Sequence, residues 1–376
     1  MSSPVDVTSG WASGRLDLLG GVADYSGALV LEVPTQAGTT VTAETSGSAD
    51  ALVIGDTIVT YRELRTLAAL PYPEVRDAVA DLPRWTHYLV GVALVLVRHG
   101  VIEAPRVRLT VTSDLPQSVG LSSSAALEVA TARALGADRV DPLQLALLCQ
   151  EAENHVVGAP CGVMDQVTVA MGRVGAVLPI RCRPAEVGAP IAIPPGLEVV
   201  GCPTGAEHDV SGVPYRRARV AAFMGKRLAE ERTGRAVDWV SELTADAVAA
   251  LPEALDGWAF LERWGPTDDT VTTVDPDLTY PVRAATAFGV EEHQRSRRAR
   301  EALDTADTAT LGELMAASHA GYDTMGLGHP ASTATVEAAL ALPGVHGARS
   351  SGGGSGGTVV VLCDRGALDH VEHLVL

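Results

Sequence analysis

Aromatic residues are scarce in this chain: Phe, Trp and Tyr together make up 4% of its 376 residues. A core cannot then rest on large rings. It must be built mostly from Ala, Val and Leu, small side chains that let helices pack closely on sheets. Cysteine is equally sparse. Cys149, Cys161, Cys182, Cys202 and Cys363 are scattered, odd in number and form no CxxC pair, which argues against a disulfide framework or a zinc site and fits reduced thiols in a cytoplasm. Basic residues are outnumbered, 28 Lys and Arg against 46 Asp and Glu, for a net charge of −18. Such a chain repels nucleic-acid phosphates and anionic membranes, so neither partner is expected. A nucleotide held by backbone amides and magnesium stays possible. The longest apolar run in a helical context, around Tyr88–Val97, is too short to span a bilayer. The opening MSSPVDVTSGW has no basic stretch followed by an apolar one, so no secretory leader is expected.

What is present suffices for a sizeable core: 47% hydrophobic and 20% charged residues, over a length that accommodates two domains sharing a cleft. Strand-like patterning predicts β-structure at Ala28–Pro34, Thr39–Glu44, Ala51–Tyr61 with a turn at Gly55-Asp56, and Val107–Ser113. Helices are predicted at Trp85–His99, from Ser122 to about Leu135, at Pro142–His155 and around Cys161–Met171. The Pro- and Gly-rich stretch Arg183–Glu198 precedes a strand at Val199–Cys202 and places a domain boundary nearby, giving domains 1–190 and 191–376. Helices at Arg216–Arg232, Val282–Thr305 and Ala309–Tyr322 and a hairpin at Gly347–Cys363 complete the second half.

Four segments carry chemistry. Leu115–Leu127 (LPQSVGLSSSAAL) reads as strand, tight turn and Ala-rich helix, which aims unpaired N–H groups and a positive dipole end at one spot, as a phosphate requires. It lacks the Gly-Lys-Ser/Thr ending of a Walker loop, and an ordinary serine N-cap is the plain alternative. Gly347–Thr358 (GARSSGGGSGGT) runs at once into the core-like Val359–Cys363, which suits a rigid glycine turn better than a linker. Gly14–Tyr25 sets one arginine and two aspartates around a Gly-Gly turn, and a surface salt bridge would explain it equally. Glu153–Gln166 (ENHVVGAPCGVMDQ) brackets a turn with two carboxylates able to bind metal or accept a proton. For Asp165 a helix cap is the alternative, while His155 and Cys161 read as packing residues.

In order and spacing these segments resemble the GHMP kinases, named for galactokinase, homoserine kinase, mevalonate kinase and phosphomevalonate kinase. Gly14–Tyr25 is similar to the galactokinase N-terminal signature, Trp85–Gly91 to the helix beside the adenine pocket, Leu115–Leu127 to the phosphate loop, Gly158–Gln166 to the sugar-kinase motif and Gly347–Thr358 to the third family motif. Gly20–Gly27 (GGVADYSG), Cys149–Gln166, Arg183–Val187 and Tyr215–Gly225 resemble the plant-type L-arabinokinase branch. The implied fold is α+β: a ribosomal protein S5 domain 2-like N-terminal domain and a ferredoxin-like C-terminal domain with the active site between them. The implied activity is ATP- and Mg2+-dependent phosphorylation of the anomeric hydroxyl of L-arabinose. Galactose or another galactose-configured, C6-modified sugar is the alternative, a silent sugar or nucleotide sensor the reading from another class, and a non-sugar alcohol kinase a third.

The resemblance also implies roles. Asp165 would be the catalytic carboxylate, and Arg15 would hold it ionised and stabilise charge on the attacking oxygen. Ser124 and Glu153 would bind magnesium, while Asp24, Gly21, Gly162 and Tyr215 would line the sugar pocket. Val119, Gly120, Leu121, Ser122, Ser123 and Ser124 would cradle phosphate, with Trp85, Gly353 and Gly354 also on the nucleotide. Galactokinases carry a glutamate in place of Gly21, which holds the C6 hydroxyl; a pentose has no such hydroxyl, and a glutamate facing nothing would be left unpaired. The same gap would also admit a modified C6. Three departures stand out: Ser118 replaces the first glycine of the phosphate loop, Glu207 and Asp209 alter a stretch near the sugar, and the sequence given stops at Leu376 where relatives continue into a closing strand.

Overall fold

The computed structural model describes residues 6–45, 50–116, 118–206 and 212–375. They form two compact units interleaved along the chain: Met1–Arg15, Pro34–Gln117 and Ser122–Gly172 make the first, and Leu16–Val33, Ser118–Leu121 and Arg173–Leu376 the second. Strands β1 (Val7–Leu19) and β2 (Leu29–Thr45) each contribute to both.

In the first unit, β3 (Ala51–Ile54) and β4 (Thr57–Thr60) form the hairpin expected around Gly55. Two short helices follow, α1 (Tyr61–Ala68), capped by a Thr60–Glu63 box, and α2 (Tyr72–Val79). Then come α3 (Thr86–Arg98), β5 (Val107–Ser113), α4 (Ser123–Ala134), α5 (Pro142–Ala152) and α6 (Met164–Met171). The sheet order is β4-β3-β5-β2, with β5 antiparallel to residues 39–45 of β2 and parallel to β3. The core of this unit is as ring-poor as its composition requires: Ala125, Ala126, Val129 and Ala130 of α4 are buried with Val90 and Ala93 of α3 and Val167 of α6. A methyl group on Gly10 of β1 would come within 2.2 Å of the Ala130 carbonyl, so this close approach demands glycine. Arg133 of α4 donates to the carbonyls of Trp11 (2.5 Å) and Ala170 (2.8 Å), tying β1 and α6 to one helix. These ties fix the β1 segment that ends in Arg15.

In the second unit, residues 29–32 of β2 pair antiparallel with β6 (Ala176–Cys182), to which β7 (Ala185–Val187) and β8 (Ile191–Ala192) add. The Pro- and Gly-rich stretch thus supplies edge strands, and the change of unit falls earlier, at Gly172. After β9 (Leu197–Pro203) come α7 (Val213–Thr233), α8 (Ala245–Ala249), β10 (Leu255–Asp256), α9 (Gly257–Trp264), β11 (Thr279–Tyr280), α10 (Val282–Thr305), α11 (Thr308–Met325) and α12 (Pro330–Leu340). The hairpin β12 (Val345–Ser350) and β13 (Thr358–Asp364) pairs with β9 in the order β12-β13-β9, and α13 (Leu368–Glu372) follows. One core in this unit packs Tyr25, Phe223, Phe288 and Tyr322 around α7 and α10; another packs Leu16, Leu18 and Leu19 of β1 against Leu303, Leu314 and Val360. No helix among the described residues is long and apolar enough to cross a membrane.

Candidate active site

The start of α4 is not an ordinary capped helix. Ser122 occupies the N-cap position with φ 56° and ψ 42°, in the left-handed region, and its side chain makes no capping bond. Its hydroxyl is buried and has no hydrogen-bond partner among the described residues. The first-turn N–H groups therefore keep their capacity for an outside acceptor, and a donor hydroxyl sits beside them. The plain serine-cap alternative therefore does not describe this helix start. The residues before it also depart from regular backbone. Ser118 has φ 57° and Gly120 φ 78°. Within the second unit, Thr358 Oγ1 donates to the Val119 carbonyl (2.6 Å), and Leu121 packs on the core built around Leu16 and Leu303.

The position of Ser118 does require a positive φ, as a glycine there would, and serine adopts it at a cost of about 1 kcal/mol. Ser118→Gly is therefore expected to leave stability unchanged or raise it slightly, by roughly 0–0.5 kcal/mol after the larger unfolded-state freedom of glycine is counted. Nucleotide affinity should be retained or improved. A lower melting temperature or weaker nucleotide binding in Ser118→Gly would refute this account of the loop.

Helix α5 passes at its C-terminal end into a single π-helical turn, Glu153–Val157, closed by Gly158 in the left-handed region. Such turns redirect a side chain out of the regular helical face. Here the redirected residue is Glu153, only 3% exposed. Its Oε2 accepts from Gln166 Nε2 (2.5 Å) and from the Cys161 thiol (3.4 Å), and the Ser124 hydroxyl also bonds its carboxylate. Burial, and secondly the charge of Asp165, push the Glu153 carboxyl up to about 7. Gln166 also donates to Glu128 Oε2 (3.1 Å), a fully buried acid that desolvation and Glu153 hold well above the usual carboxylate range. Two acids thus share one amide.

Asp165, in the first turn of α6, is not that helix's N-cap, which is Val163. Its Oδ1 accepts from Arg15 Nε at 2.7 Å, with the arginine side chain 3% exposed and the aspartate 21%. The first unit therefore brings together Arg15, Asp165, Glu153 and Ser124, four residues expected at the site from distant parts of the sequence. The turn joining Glu153 to Asp165 is clamped by Asn154 Oδ1, which accepts from Cys161 N (2.8 Å). His155 stacks on Tyr72 at 4.8 Å, a packing role as expected. Gly162 is buried, while Trp85 stands just before α3 and is 48% exposed.

Among the described residues no three of His, Cys, Asp and Glu form a ready metal cluster. The donors at Glu153 and Ser124 are hard oxygens, and the buried carboxylate is surrounded by other acids and neutral donors. A hard divalent cation completed by phosphate oxygens and water suits that set.

In the second unit, the Gly-Gly turn opens a 3-10 turn, Gly21–Ser26, closed by Gly27. Asp24 is 4% exposed and its Oδ1 accepts from Tyr25 N (2.6 Å). Tyr25 meets Tyr215 edge-on, with centroids 6.0 Å apart, and the charge of Asp24 reaches Arg219. Arg219 is fully buried and bonds Asp269 through two parallel contacts of 2.8 Å. The turn at 350–358 is largely buried, and a methyl group on Gly354 would meet the Leu327 carbonyl and the Tyr322 ring at 2.7 Å. It is a packed turn, not a linker. Glu207 and Asp209 lie outside the described residues.

Sequence reasoning passed over several members of these clusters. Gln166 ends a motif that was singled out, yet received no role; Glu128 lies one residue beyond another. Arg219 and Asp269 are 50 residues apart, and Asp17 and Arg349 pair across 332. Only a polar residue inside an apolar helical stripe, as in YRRARVAAFMG, could have signalled the first pair.

The chain matches the family models "GHMP kinases N terminal domain" over residues 87–173 and "GHMP kinases C terminal" over residues 299–373. It is 30% identical to an L-arabinokinase of Arabidopsis thaliana, over 93% of this chain but only 42% of that protein's length. It is 31% identical to a galactokinase of Roseiflexus sp., over 96% of this chain and 85% of the relative. The crystal structure of Lactococcus lactis galactokinase complexed with galactose superposes with a TM-score of 0.78 at 21% identity, covering 98% of this chain and 89% of that one, a likeness of fold.

Proposed function

Because the chain belongs to the GHMP kinases and covers 85% of the length of the Roseiflexus galactokinase, we propose that it is an ATP-dependent sugar 1-kinase acting on L-arabinose. The observation that carries this reading is the Arg15–Asp165 pair at 2.7 Å, in the same cluster as Glu153 and Ser124. Phosphoryl transfer asks a protein mainly for alignment and charge compensation. Asp165 accepts a hydrogen bond from the anomeric hydroxyl and orients it. Arg15 fixes the carboxylate through Nε and offers positive charge beside the attacking oxygen. The N–H groups at the start of α4 and the free Ser122 hydroxyl hold phosphate oxygens. Ser124 and Glu153 would hold magnesium together with the nucleotide, and the cation would supply compensating positive charge to the phosphates. From the family resemblance, Val119, Gly120, Leu121, Ser123, Gly353, Gly354 and Trp85 would serve the nucleotide, and Asp24, Gly21, Gly162 and Tyr215 the sugar.

The choice of L-arabinose rests on Gly21 and on the likeness to the Arabidopsis protein. The several galactokinases among the relatives favour D-galactose as the second reading. A coupled ADP-release assay over L-arabinose, D-galactose, galacturonic acid, galactosamine, homoserine and mevalonate decides. The expected result is the highest kcat/KM on L-arabinose. A higher value on galactose would replace the pentose with the hexose. ATP binding without turnover of any acceptor would make the protein a sensor.

A further inference from the structure

Gly21 does not border an empty space. Its φ is 49°, and a methyl group built on it would lie 2.0 Å from the Tyr322 hydroxyl, 2.6 Å from Asp17 Oδ2 and 3.2 Å from Arg349 Nη2. The volume that a side chain at this position would fill is already occupied. Tyr322, on α11, is fully buried, donates to the Gly352 carbonyl (2.5 Å) and accepts from Val22 N (3.4 Å). Behind it Asp17 and Arg349, both fully buried, pair at 2.7 Å, and the guanidinium lies 5.3 Å from the Tyr322 ring centre. The Phe288 ring meets Tyr322 edge-on at 5.4 Å. These contacts hold the phenol in this position.

We propose that Tyr322 is the specificity-determining partner of Gly21: the phenol takes the place of a side chain at residue 21, so that an acid at 21 and a tyrosine at 322 exclude each other. Two effects enforce the exclusion. The hydroxyl overlaps the Cβ position, and a carboxylate at 21 would also be driven against the carboxylate of Asp17. The inference rests on the reading that residue 21 faces the carbon bearing the hydroxymethyl arm of galactose. On that reading Tyr322 both removes the group that would hold a C6 hydroxyl and fills the room the arm needs. It also narrows the expectation that the gap beside Gly21 admits a modified C6, since the gap is closed.

Two measurements test it. The first needs no substrate. Gly21→Ala should lower the melting temperature by several degrees, and Tyr322→Phe, which removes the nearer of the two clashing oxygens, should restore part of that loss in the double variant. Strictly additive changes would overturn the claim that the two residues compete for one volume. The second compares galactose with arabinose as a ratio of kcat/KM, in which any effect on the nucleotide side cancels. Tyr322→Ala should raise the ratio about 10-fold, and Tyr322→Phe, which keeps the ring, should raise it less. A folded Tyr322→Ala variant with an unmoved ratio, from a wild type active on arabinose, overturns the assignment of Tyr322 alone. A wild type inactive on both sugars overturns the sugar-kinase reading and this assignment with it, while the melting cycle still reports which residue holds the space.

Discussion

Asp165→Asn is expected to reduce sugar phosphorylation by about 10³-fold or more while leaving nucleotide binding intact. The asparagine is isosteric and its Oδ1 can still accept from Arg15 Nε, so the geometry at 2.7 Å survives. What disappears is a negative charge and one strong acceptor for the acceptor hydroxyl. The phosphate site proposed at the start of α4 contains no atom of Asp165 and should be untouched. Isothermal titration with a non-hydrolysable ATP analogue and a coupled assay on the same preparation separate the two quantities. The variant should also melt lower. Arg15 is only 3% exposed, and its compensating charge would be gone. With Asp165 itself 21% exposed, solvent softens the penalty to about 1–2 kcal/mol. Near-normal turnover in a folded Asp165→Asn protein would remove Asp165 from the chemistry. Loss of nucleotide binding alongside activity would mean that the pair is structural.

The four residues of that cluster illustrate what the sequence makes legible. Arg15, Ser124, Glu153 and Asp165 each stand in a short segment whose composition is unusual in itself: a glycine turn, a serine run, a Gly-Pro-Cys turn. Local chemistry marks such positions because the backbone must do something irregular there. Ser122 and Ser118 in the left-handed region, and the π-helical turn at Glu153, are the irregularities themselves. Regular elements with strong periodicity were equally readable, and α10 falls on the expected Val282–Thr305. Helices α1 and α2 are eight residues long and α12 eleven, too short for periodicity to stand out, and the local start signals they carry, the Thr60–Glu63 box and a first-turn proline in α2 and α12, were passed over. What else stayed hidden depends on long-range partners. The interleaving of units, in which residues 16–33 belong with the second, reflects two strands long enough to serve both. Gly21 shows the sharpest limit. The sequence gives the absence of a side chain, but not that a tyrosine 301 positions away fills the volume. An empty pocket and an occupied one look alike until the chain is folded.

Glu153 carries the other large effect, and its sign follows from burial. The carboxyl takes up its proton at about 7 in the folded protein, against 4.5 for an ordinary glutamate. Between these values the folded chain binds more protons than the unfolded one. Its stability therefore falls as pH rises from about 4.5 to about 7, and the loss is complete above 7. A neutral isostere escapes that loss. Glu153→Gln should melt higher than wild type at pH 8, by an amount on the order of 2–3 kcal/mol, and no higher at pH 4.5. The same substitution removes the only acidic oxygen donor assigned to magnesium, so turnover should fall by 10²-fold or more. On the proposed magnesium site, proton and cation would compete for one carboxylate in the wild type. The magnesium concentration for half-maximal rate should climb as pH drops from 8 to 6, while in Glu153→Gln the residual rate should show little of that dependence. A function bought at the expense of stability is what a buried acid awaiting a cation should show. If Glu153→Gln melts no higher at pH 8 and keeps the wild-type magnesium requirement, the carboxylate is neither strained by burial nor a ligand. The cation would then need another anchor near the start of α4.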